Sequence, residues 1–180
     1  MNMYFIALVA PEEINEKLLE WKHFMKDRFG CTVALKSPAH ITLVAPFWMQ
    51  PGLEHDLQNS IHAFSTEQKS FEVLLHNFSA FTPRVIYVDV IKNTAIDSLQ
   101  NSFTDYLLLQ NKFPIIKETR PFHPHVTIAT RDLYKKAFNE AWEIFNRKEY
   151  NAEWKINSIS LLRHNKKNWD VIFTSQFLKK

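Results

Sequence analysis

The sequence predicts an α+β fold made of two similar halves. Predicted strands and helices alternate along the 180 residues, successive strands are separated by short turns, and one order of elements occurs twice. Short connections between sequential strands favour antiparallel or mixed sheets. With 46% hydrophobic and 14% aromatic residues, the chain can bury a large core and is not typical of a disordered protein.

The first half opens with an apolar segment, residues 3–9, that predicts a buried strand. Pro11 suits the start of a helix, and the acidic residues after it favour the helix N-terminus. Apolar residues then recur at helical spacing until Gly30, a typical helix stop. The remaining predictions for this half are a short strand at 32–35, a strand in HITLVA (40–45), a helix opened by Pro51 and Gly52, and a strand at 71–78.

The second half repeats this order. RVIYVDV (84–90) predicts a strand, apolar residues in helical phase from 96 to 107 predict a helix, and HVTIAT (125–130) predicts the next strand. Asp132 is expected to cap the following helix. Strands at 154–162 and 169–177 are expected to close the chain. We therefore expect one domain of two pseudo-repeated lobes, about 1–80 and 81–180, allowing for exchange of strands at the ends.

Composition excludes several classes of site. Gly30 and Gly52 are the only glycines, so no Gly-rich phosphate loop can be written, and any phosphate must be held by side chains. Cys31 is the only cysteine, which excludes an intrachain disulfide and indicates a reducing compartment. The opening segment is too short for a membrane span and lacks the layout of a signal peptide. We expect a cytoplasmic protein with no membrane partner, whose net charge of +3 suits an anionic ligand.

A His-x-Thr motif occurs at the equivalent strand of each half, as His40-Ile41-Thr42 and His125-Val126-Thr127. Alternate residues of a strand point to one face, so each imidazole shares a face with a hydroxyl while the aliphatic residues enter the core. Burying such polar groups unpaired costs about 1–3 kcal/mol each. Both histidines could be core residues that donate to backbone carbonyls. Recurrence at the same point of a repeated order favours a functional role.

The paired segments HITL and HVTI, the opening YFIALVAPEEI and the RVIYVDV strand resemble the two-histidine (2H) phosphoesterase superfamily. Within it the chain is most similar to the bacterial 2'-5' RNA ligase type, whose members act as RNA 2',3'-cyclic phosphodiesterases. The resemblance covers nearly the whole chain. It implies a bilobal fold with two sheets, helices outside and a central cleft carrying the two His-x-Thr strands. It also implies hydrolysis of cyclic phosphate termini, with 2'-5' ligation as the reverse reaction, and no metal or other cofactor.

The residue types suit this chemistry. A free imidazole has a pKa of about 6.5, so near neutral pH one histidine can be neutral and accept a proton from water while the other is protonated and donates to the leaving ribose oxygen. The hydroxyls of Thr42 and Thr127 can donate to non-bridging phosphate oxygens. The residues alone leave open which histidine is the base. The resemblance implies that His40 donates the proton and His125 accepts it.

Four further residues are candidates for substrate binding. Many relatives carry an arginine in the second motif's strand where this chain has Thr130, and Arg131 follows one place later. In a continuing strand Arg131 would point to the opposite face, so it can reach a phosphate only if the strand has ended. Arg84 precedes the RVIYVDV strand and is the second candidate. Tyr87 and Phe47 could stack on a nucleobase, although aromatic residues of strands are often core residues.

Other functions stay open at this stage. His123 and His125 could ligate a metal, but Pro124 separates them and no cluster of carboxylates accompanies them, whereas zinc needs three or four ligands. A non-catalytic binder of RNA ends or nucleotides could keep the fold, and the substrate could be ADP-ribose cyclic phosphate or a 2'-5' oligoadenylate. We expect a monomer with RNA ends or small cyclic-phosphate nucleotides as its partners and no obligate protein partner. The remaining histidines are expected to be solvent-exposed, namely His23, His55, His62, His76 and His164.

Overall fold

The computed structural model describes residues 1–178, in which eight strands and four α-helices alternate. The elements are β1 (Asn2–Val9), α1 (Glu12–Phe29), β2 (His40–Met49), α2 (Glu54–Ser65), β3 (Phe71–Phe81), β4 (Val85–Ile91), α3 (Thr94–Leu109), β5 (His125–Ala129), α4 (Lys135–Phe145), β6 (Asn151–Ile156), β7 (Ser158–His164) and β8 (Trp169–Gln176). Short 3₁₀ helices at Val33–Lys36 and Pro51–Leu53 precede β2 and α2.

The strands form two four-stranded sheets. The first sheet has the order β2-β1-β7-β8 and the second has the order β5-β4-β3-β6. All neighbouring strands in both sheets are antiparallel. The predicted α+β class with antiparallel sheets is confirmed. Each His-x-Thr strand is an edge strand, paired with the strand that opens its half of the chain.

The sheets exchange elements between the two halves of the sequence. Strand β3 lies before residue 81 yet belongs to the second sheet, and β7 and β8 return to the first. Helix α1 follows a strand of the first sheet but contacts β5 and α4, while α3 follows a strand of the second sheet and contacts β2 and α2. We propose that the chain is one domain whose two lobes are these sheets with their exchanged helices.

Strand β1 is covered on both faces. Tyr4, Ile6 and Leu8 are almost fully buried in the main core, while Phe5 and Ala7 on the other face form a small apolar cluster with a residue of β7, Leu162. Burial on both faces explains why this strand reads as a continuous apolar segment.

Helix α1 ends where the sequence predicts. Gly30 adopts a left-handed backbone conformation with φ of 71°, and its N–H donates to the carbonyl of Lys26. Glycine reaches this conformation without the strain of a side chain, which explains the stop.

Two predictions near residue 32 are wrong, and one side chain explains both. The predicted strand at 32–35 is a 3₁₀ helix, because the carboxylate of Asp132 accepts the N–H groups of Thr32 and Val33 at 2.6 and 2.9 Å. Asp132 therefore does not cap α4, which begins at Lys135 after Tyr134. A carboxylate can cap any helix N-terminus that the fold brings to it, so a cap from a residue 100 positions away leaves no local sequence signal.

The predicted strand at 154–162 is also wrong as a single element. The segment contains β6 in the second sheet and β7 in the first, with Asn157 between them. Buried residues continue through both strands, including Trp154, Ile156 and Ile159. The apolar pattern therefore gives no sign that the chain passes from one sheet to the other.

We expect Asp132→Ala to lower the free energy of unfolding by about 1–2 kcal/mol, because it removes the cap of two backbone N–H groups. Asp132→Asn keeps an accepting oxygen and should lose less. Urea denaturation measures both, with Asp27→Ala on the exposed face of α1 as a matched control expected to stay within about 0.5 kcal/mol of the unmodified protein. An unchanged unfolding free energy in Asp132→Ala would contradict this account of the 3₁₀ helix.

Candidate active site

The two His-x-Thr motifs open their strands and face the same space. His40 and Thr42 pair with Val9 and Ala7 of β1, and His125 and Thr127 pair with Asp89 and Tyr87 of β4. The intervening aliphatic side chains are buried in the core, as the strand alternation predicts. These are Ile41, Leu43, Val126 and Ile128.

Strands β2 and β5 contact each other, although they belong to different sheets. Two cavities adjoin at this contact. The first cavity, about 430 Å³, is lined by His40, Thr42 and Thr127. The second cavity, about 600 Å³, is lined by Thr42, His125 and His123. Since Thr42 lines both cavities, they form one cleft with a His-x-Thr strand from each sheet.

Both imidazoles are held in the same way. Nδ1 of His40 lies 2.7 Å from the carbonyl oxygen of Pro38, and Nδ1 of His125 lies 2.7 Å from the carbonyl oxygen of His123. A carbonyl can only accept, so Nδ1 must carry the hydrogen and Nε2 must hold the free lone pair of the neutral ring. The prediction that these histidines could donate to backbone carbonyls is thus confirmed for Nδ1 of each ring. Nε2 of each ring is not used in these bonds.

Burial lowers the pKa of both imidazoles. The pKa of His40 falls to about 4, mainly through burial, and the charges of Lys22 and His125 lower it further. The pKa of His125 is also lowered by burial and by the charge of His123, while its bond to the His123 carbonyl and the carboxylate of Asp89 act in the opposite direction. Both rings are therefore neutral at pH 7 in the protein alone. One protonated imidazole near neutral pH therefore requires a bound anion that stabilises the positive charge.

Aromatic and acidic groups surround His125. Nε2 of His123 lies 3.2 Å from Oδ1 of Asp89 and 3.2 Å from the hydroxyl of Tyr87. The rings of Tyr87 and Phe81 lie 5.0 and 5.1 Å from that of His125. These contacts restrict both the ring of His125 and the backbone carbonyl that orients it.

Tyr87 and Phe47 have no free ring face for a nucleobase. Tyr87 is 2% exposed and packs against Phe81 and the two histidines, and Phe47 is 8% exposed in the core beside Tyr4. As candidate stacking residues they are incorrect, because each ring is covered by neighbouring side chains.

The two candidate arginines differ in position. Strand β5 ends at Ala129, so Arg131 lies beyond the strand and lines the first cavity. This meets the condition on which its contact with a phosphate depends. Arg84 is exposed in the turn between β3 and β4 and lines neither cavity, so its candidate role has no support from its position.

Sequence reasoning missed one wall of the first cavity. Lys36, His164 and Trp169 line it, and the ring of Phe5 lies between those of His40 and Trp169 at 4.8 and 4.7 Å. His164, expected to be exposed, is half-buried 4.9 Å from the ring of Trp169. The basic segment RHNKKNW carried a weak signal. The sequence does not show that this segment reaches the cavity, because β7 and β8 join the first sheet through contacts with residues far away in the chain.

The other histidines outside the cleft are exposed as expected: His23, His55, His62 and His76. His76 lies within β3 rather than at a strand end, because that strand continues to Phe81. In residues 1–178 no group of three or more His, Cys, Asp or Glu side chains is arranged to hold a metal ion. No helix in this described part of the chain is long and apolar enough to cross a membrane.

Comparison with known proteins gives one relative by sequence and several by structure. The chain is 27% identical over 144 residues to an RNA 2',3'-cyclic phosphodiesterase of Bacillus subtilis, with 71% of this chain and 70% of the relative covered. Its fold is similar to that of Escherichia coli LigT complexed with 3'-AMP, with a TM-score of 0.71, 16% identity and 99% of each chain covered. It is also similar to TT0787 of Thermus thermophilus, with a TM-score of 0.68, 18% identity and coverage of 98% and 97%.

A family model for the 2'-5' RNA ligase superfamily matches residues 10–168. The match includes both His-x-Thr strands and most of the elements that form the cleft. The chain therefore belongs to the 2'-5' RNA ligase superfamily.

Proposed function

We propose that this protein is a metal-independent phosphodiesterase that opens 2',3'-cyclic phosphate ends of RNA or nucleotides. The observation that carries the proposal is the pair of imidazoles, one from each sheet, that face one cleft with Nδ1 bonded to a carbonyl and Nε2 free. Membership of the superfamily and the similarity to the Bacillus subtilis phosphodiesterase support the same reaction class.

The reaction is an in-line displacement at phosphorus. Nε2 of one histidine takes a proton from water as the water oxygen bonds to phosphorus. The bond from phosphorus to the ribose 3' oxygen breaks, and that oxygen takes its electron pair and a proton from Nε2 of the other histidine. The product is a 2'-phosphate with a free 3'-hydroxyl. Hydroxyls of Thr42 and Thr127 donate to the non-bridging oxygens, where negative charge accumulates.

The charges around the two rings favour His40 as the base and His125 as the acid. Burial lowers the pKa of both rings, and the positive charge of Lys22 lowers that of His40 further. At His125 the charge of His123 also lowers the pKa, whereas the carboxylate of Asp89 opposes the lowering. Of the two arrangements with one proton, we therefore propose the one with the proton on His125. This is the reverse of the order that the family resemblance implies.

The first cavity suits a nucleotide. Trp169 offers a half-buried ring that lines this cavity, and an aromatic ring can stack on a base. The exposed side chains of Lys36 and Arg131 line the same cavity and supply positive charge for the upstream phosphate. The candidate role of Arg131 is retained on this ground.

The second cavity suits the group that enters or leaves on the other side of phosphorus. It is lined by Gln100, Lys117 and Arg120 beside His125. A 5'-hydroxyl end of RNA held there could take the place of water, which gives 2'-5' ligation by the reverse sequence of proton transfers.

Replacing His40 or His125 with Ala should each lower kcat by about 10²–10⁴-fold on a nucleoside 2',3'-cyclic phosphate, because each removes one proton-transfer group. The unmodified enzyme should turn over in excess EDTA. The matched control is His23→Ala on the exposed face of α1, which should leave the rate unchanged. Turnover by the well-folded His40→Ala protein at the unmodified rate would refute the proposal.

A substrate with sulfur in place of the 3' oxygen separates the two roles, because a thiolate leaves without protonation. It should restore most of the lost rate to His125→Ala and little to His40→Ala. Restoration in His40→Ala alone would reverse the assignment of acid and base.

The rate should depend on pH with a maximum on the acid side of pH 6.5. One histidine must be protonated and the other neutral, and the pKa of each lies below its ordinary value in the free enzyme. Measurement of kcat/KM from pH 4 to 9 tests this; a flat profile would exclude paired imidazoles.

The free energy of unfolding should also fall as the pH falls from about 6.5 towards 4. In this range the unfolded chain binds a proton at residue 40, whereas burial keeps His40 of the folded protein neutral. The variant His40→Gln should therefore lose less stability over the same range.

Trp169→Ala should raise KM by about 10-fold with little change in kcat, because it removes a base-stacking surface worth about 1–3 kcal/mol remote from the reacting atoms. A panel of cyclic mononucleotides, with Trp48→Ala as an exposed aromatic control, measures the effect. An unchanged KM for every base would place the nucleobase elsewhere.

A further inference from the structure

The three residues before His40 are held from behind by helix α1. Nζ of Lys22 donates to the carbonyl oxygen of Ser37 at 3.1 Å, and the N–H of Ala39 donates to Oδ1 of Asn15 at 2.7 Å. Between these two contacts lies Pro38, whose carbonyl accepts the Nδ1 hydrogen of His40. Asn15 thus holds the peptide group that contains the orienting carbonyl, and Lys22 holds the peptide group before it.

Lys22 is an unusual residue for this position. It is only 3% exposed, and burial lowers its pKa to about 8. Among the described residues, its recorded hydrogen bond is to the Ser37 carbonyl, and no carboxylate oxygen lies within 4 Å of Nζ. A buried ammonium without a carboxylate is costly, and an apolar side chain of similar length would pack here at lower cost. The position therefore calls for an explanation other than stability.

Within residues 1–178, the charges that act on the second motif's histidine are those of His123 and Asp89, and no lysine is among them. There the orienting carbonyl belongs to His123, whose side chain contacts the carboxylate of Asp89 and the hydroxyl of Tyr87. The same carbonyl-to-Nδ1 bond therefore occurs beside a lysine ammonium at His40 and beside an imidazole and a carboxylate at His125.

We propose that Asn15 and Lys22 are positioning residues for His40. Together they fix the Pro38 carbonyl so that His40 keeps its hydrogen on Nδ1 and presents Nε2 to the cleft, and the ammonium of Lys22 disfavours a second proton on the ring. The effect on rate depends on the function proposed above, whereas the effect on the ring's tautomer does not.

The groups that can act on the charge of His40 come from three sides. Lys22 approaches from α1 and His125 from β5, and the side chains of Lys36, Arg131 and His164 line the same cavity. All of them are cationic or can become so. Removal of Lys22 alone leaves the others in place, so the change that follows can be attributed to it.

The test is a pair of variants with a matched control, read by ¹⁵N NMR of the histidine rings and by kinetics. Lys22→Met removes both the donor and the charge, Lys22→Gln keeps a donor without the charge, and Lys17→Met alters an exposed lysine of the same helix. In Lys22→Met we expect the titration midpoint of His40 to rise towards 6.5 and its Nδ1–H tautomer to lose population. We expect kcat to fall about 10- to 100-fold through misplacement of the base, with KM within about twofold. Lys17→Met should match the unmodified protein in all of these.

Lys22→Gln should shift the titration midpoint in the same way while keeping more of the Nδ1–H tautomer. Should Lys22→Met fail to fold, Lys22→Gln and two variants of Asn15 test the inference in its place. Asn15→Ala removes the acceptor for the Ala39 N–H and should lose the Nδ1–H tautomer of His40. Asn15→Asp keeps that acceptor and should restore the tautomer. A folded Lys22→Met protein with the unmodified His40 midpoint and tautomer would overturn the inference. If the midpoint and tautomer change while no variant of His40 alters turnover, the positioning stands and the proposed function fails.

Discussion

One hydrogen bond in each half of the molecule, from an imidazole Nδ1 to the backbone carbonyl two residues earlier, determines what the cleft can do. It fixes each ring in one tautomer, because a carbonyl cannot donate. It also leaves Nε2 of both His40 and His125 without a hydrogen bond to any residue that the structure describes. If these bonds were absent, the rings could rotate, and the free nitrogen would not be defined. The proton transfers that we propose depend on these two contacts more than on any other.

The fold supplies the two bonds through edge strands of separate sheets. Because β2 and β5 are edge strands that meet, residues about 85 positions apart in the chain face one another across the cleft. The exchanged helices connect the two sheets, because α1 packs on the second sheet while its side chains bond to the segment before β2. The carboxylate of Asp132 adds a second link, from the end of β5 to the 3₁₀ helix in the wall of the first cavity. Polar contacts thus join the two sheets at the cleft.

The local sequence pattern predicted the fold class, most of the helices and strands, and the role of the two His-x-Thr motifs as candidate site residues. The features that it did not predict arise from contacts between residues far apart in the chain. The alternation in HITL and HVTI sufficed to place imidazole and hydroxyl on one face, since it depends only on strand geometry. The 3₁₀ helix at Val33–Lys36 and the wall around Trp169 depend on contacts between residues far apart in sequence, so no window of residues contains them. Tyr87 is a candidate for base stacking from the sequence alone, because the sequence shows an aromatic residue near a motif but does not show that its ring is buried. The lowered pKa of His40 was likewise out of reach, as it arises from burial and from Lys22 on another element.

The central claim is that the Nε2 atoms of His40 and His125 act on one phosphorus from opposite sides. A crystal structure with a nucleoside 2',3'-cyclic vanadate, which resembles the five-coordinate transition state, tests it most directly. The account predicts the two Nε2 atoms within about 3 Å of opposite apical oxygens and the hydroxyls of Thr42 and Thr127 on equatorial oxygens. Vanadate bound at one imidazole alone, with the other ring turned away or out of hydrogen-bond reach, would contradict it.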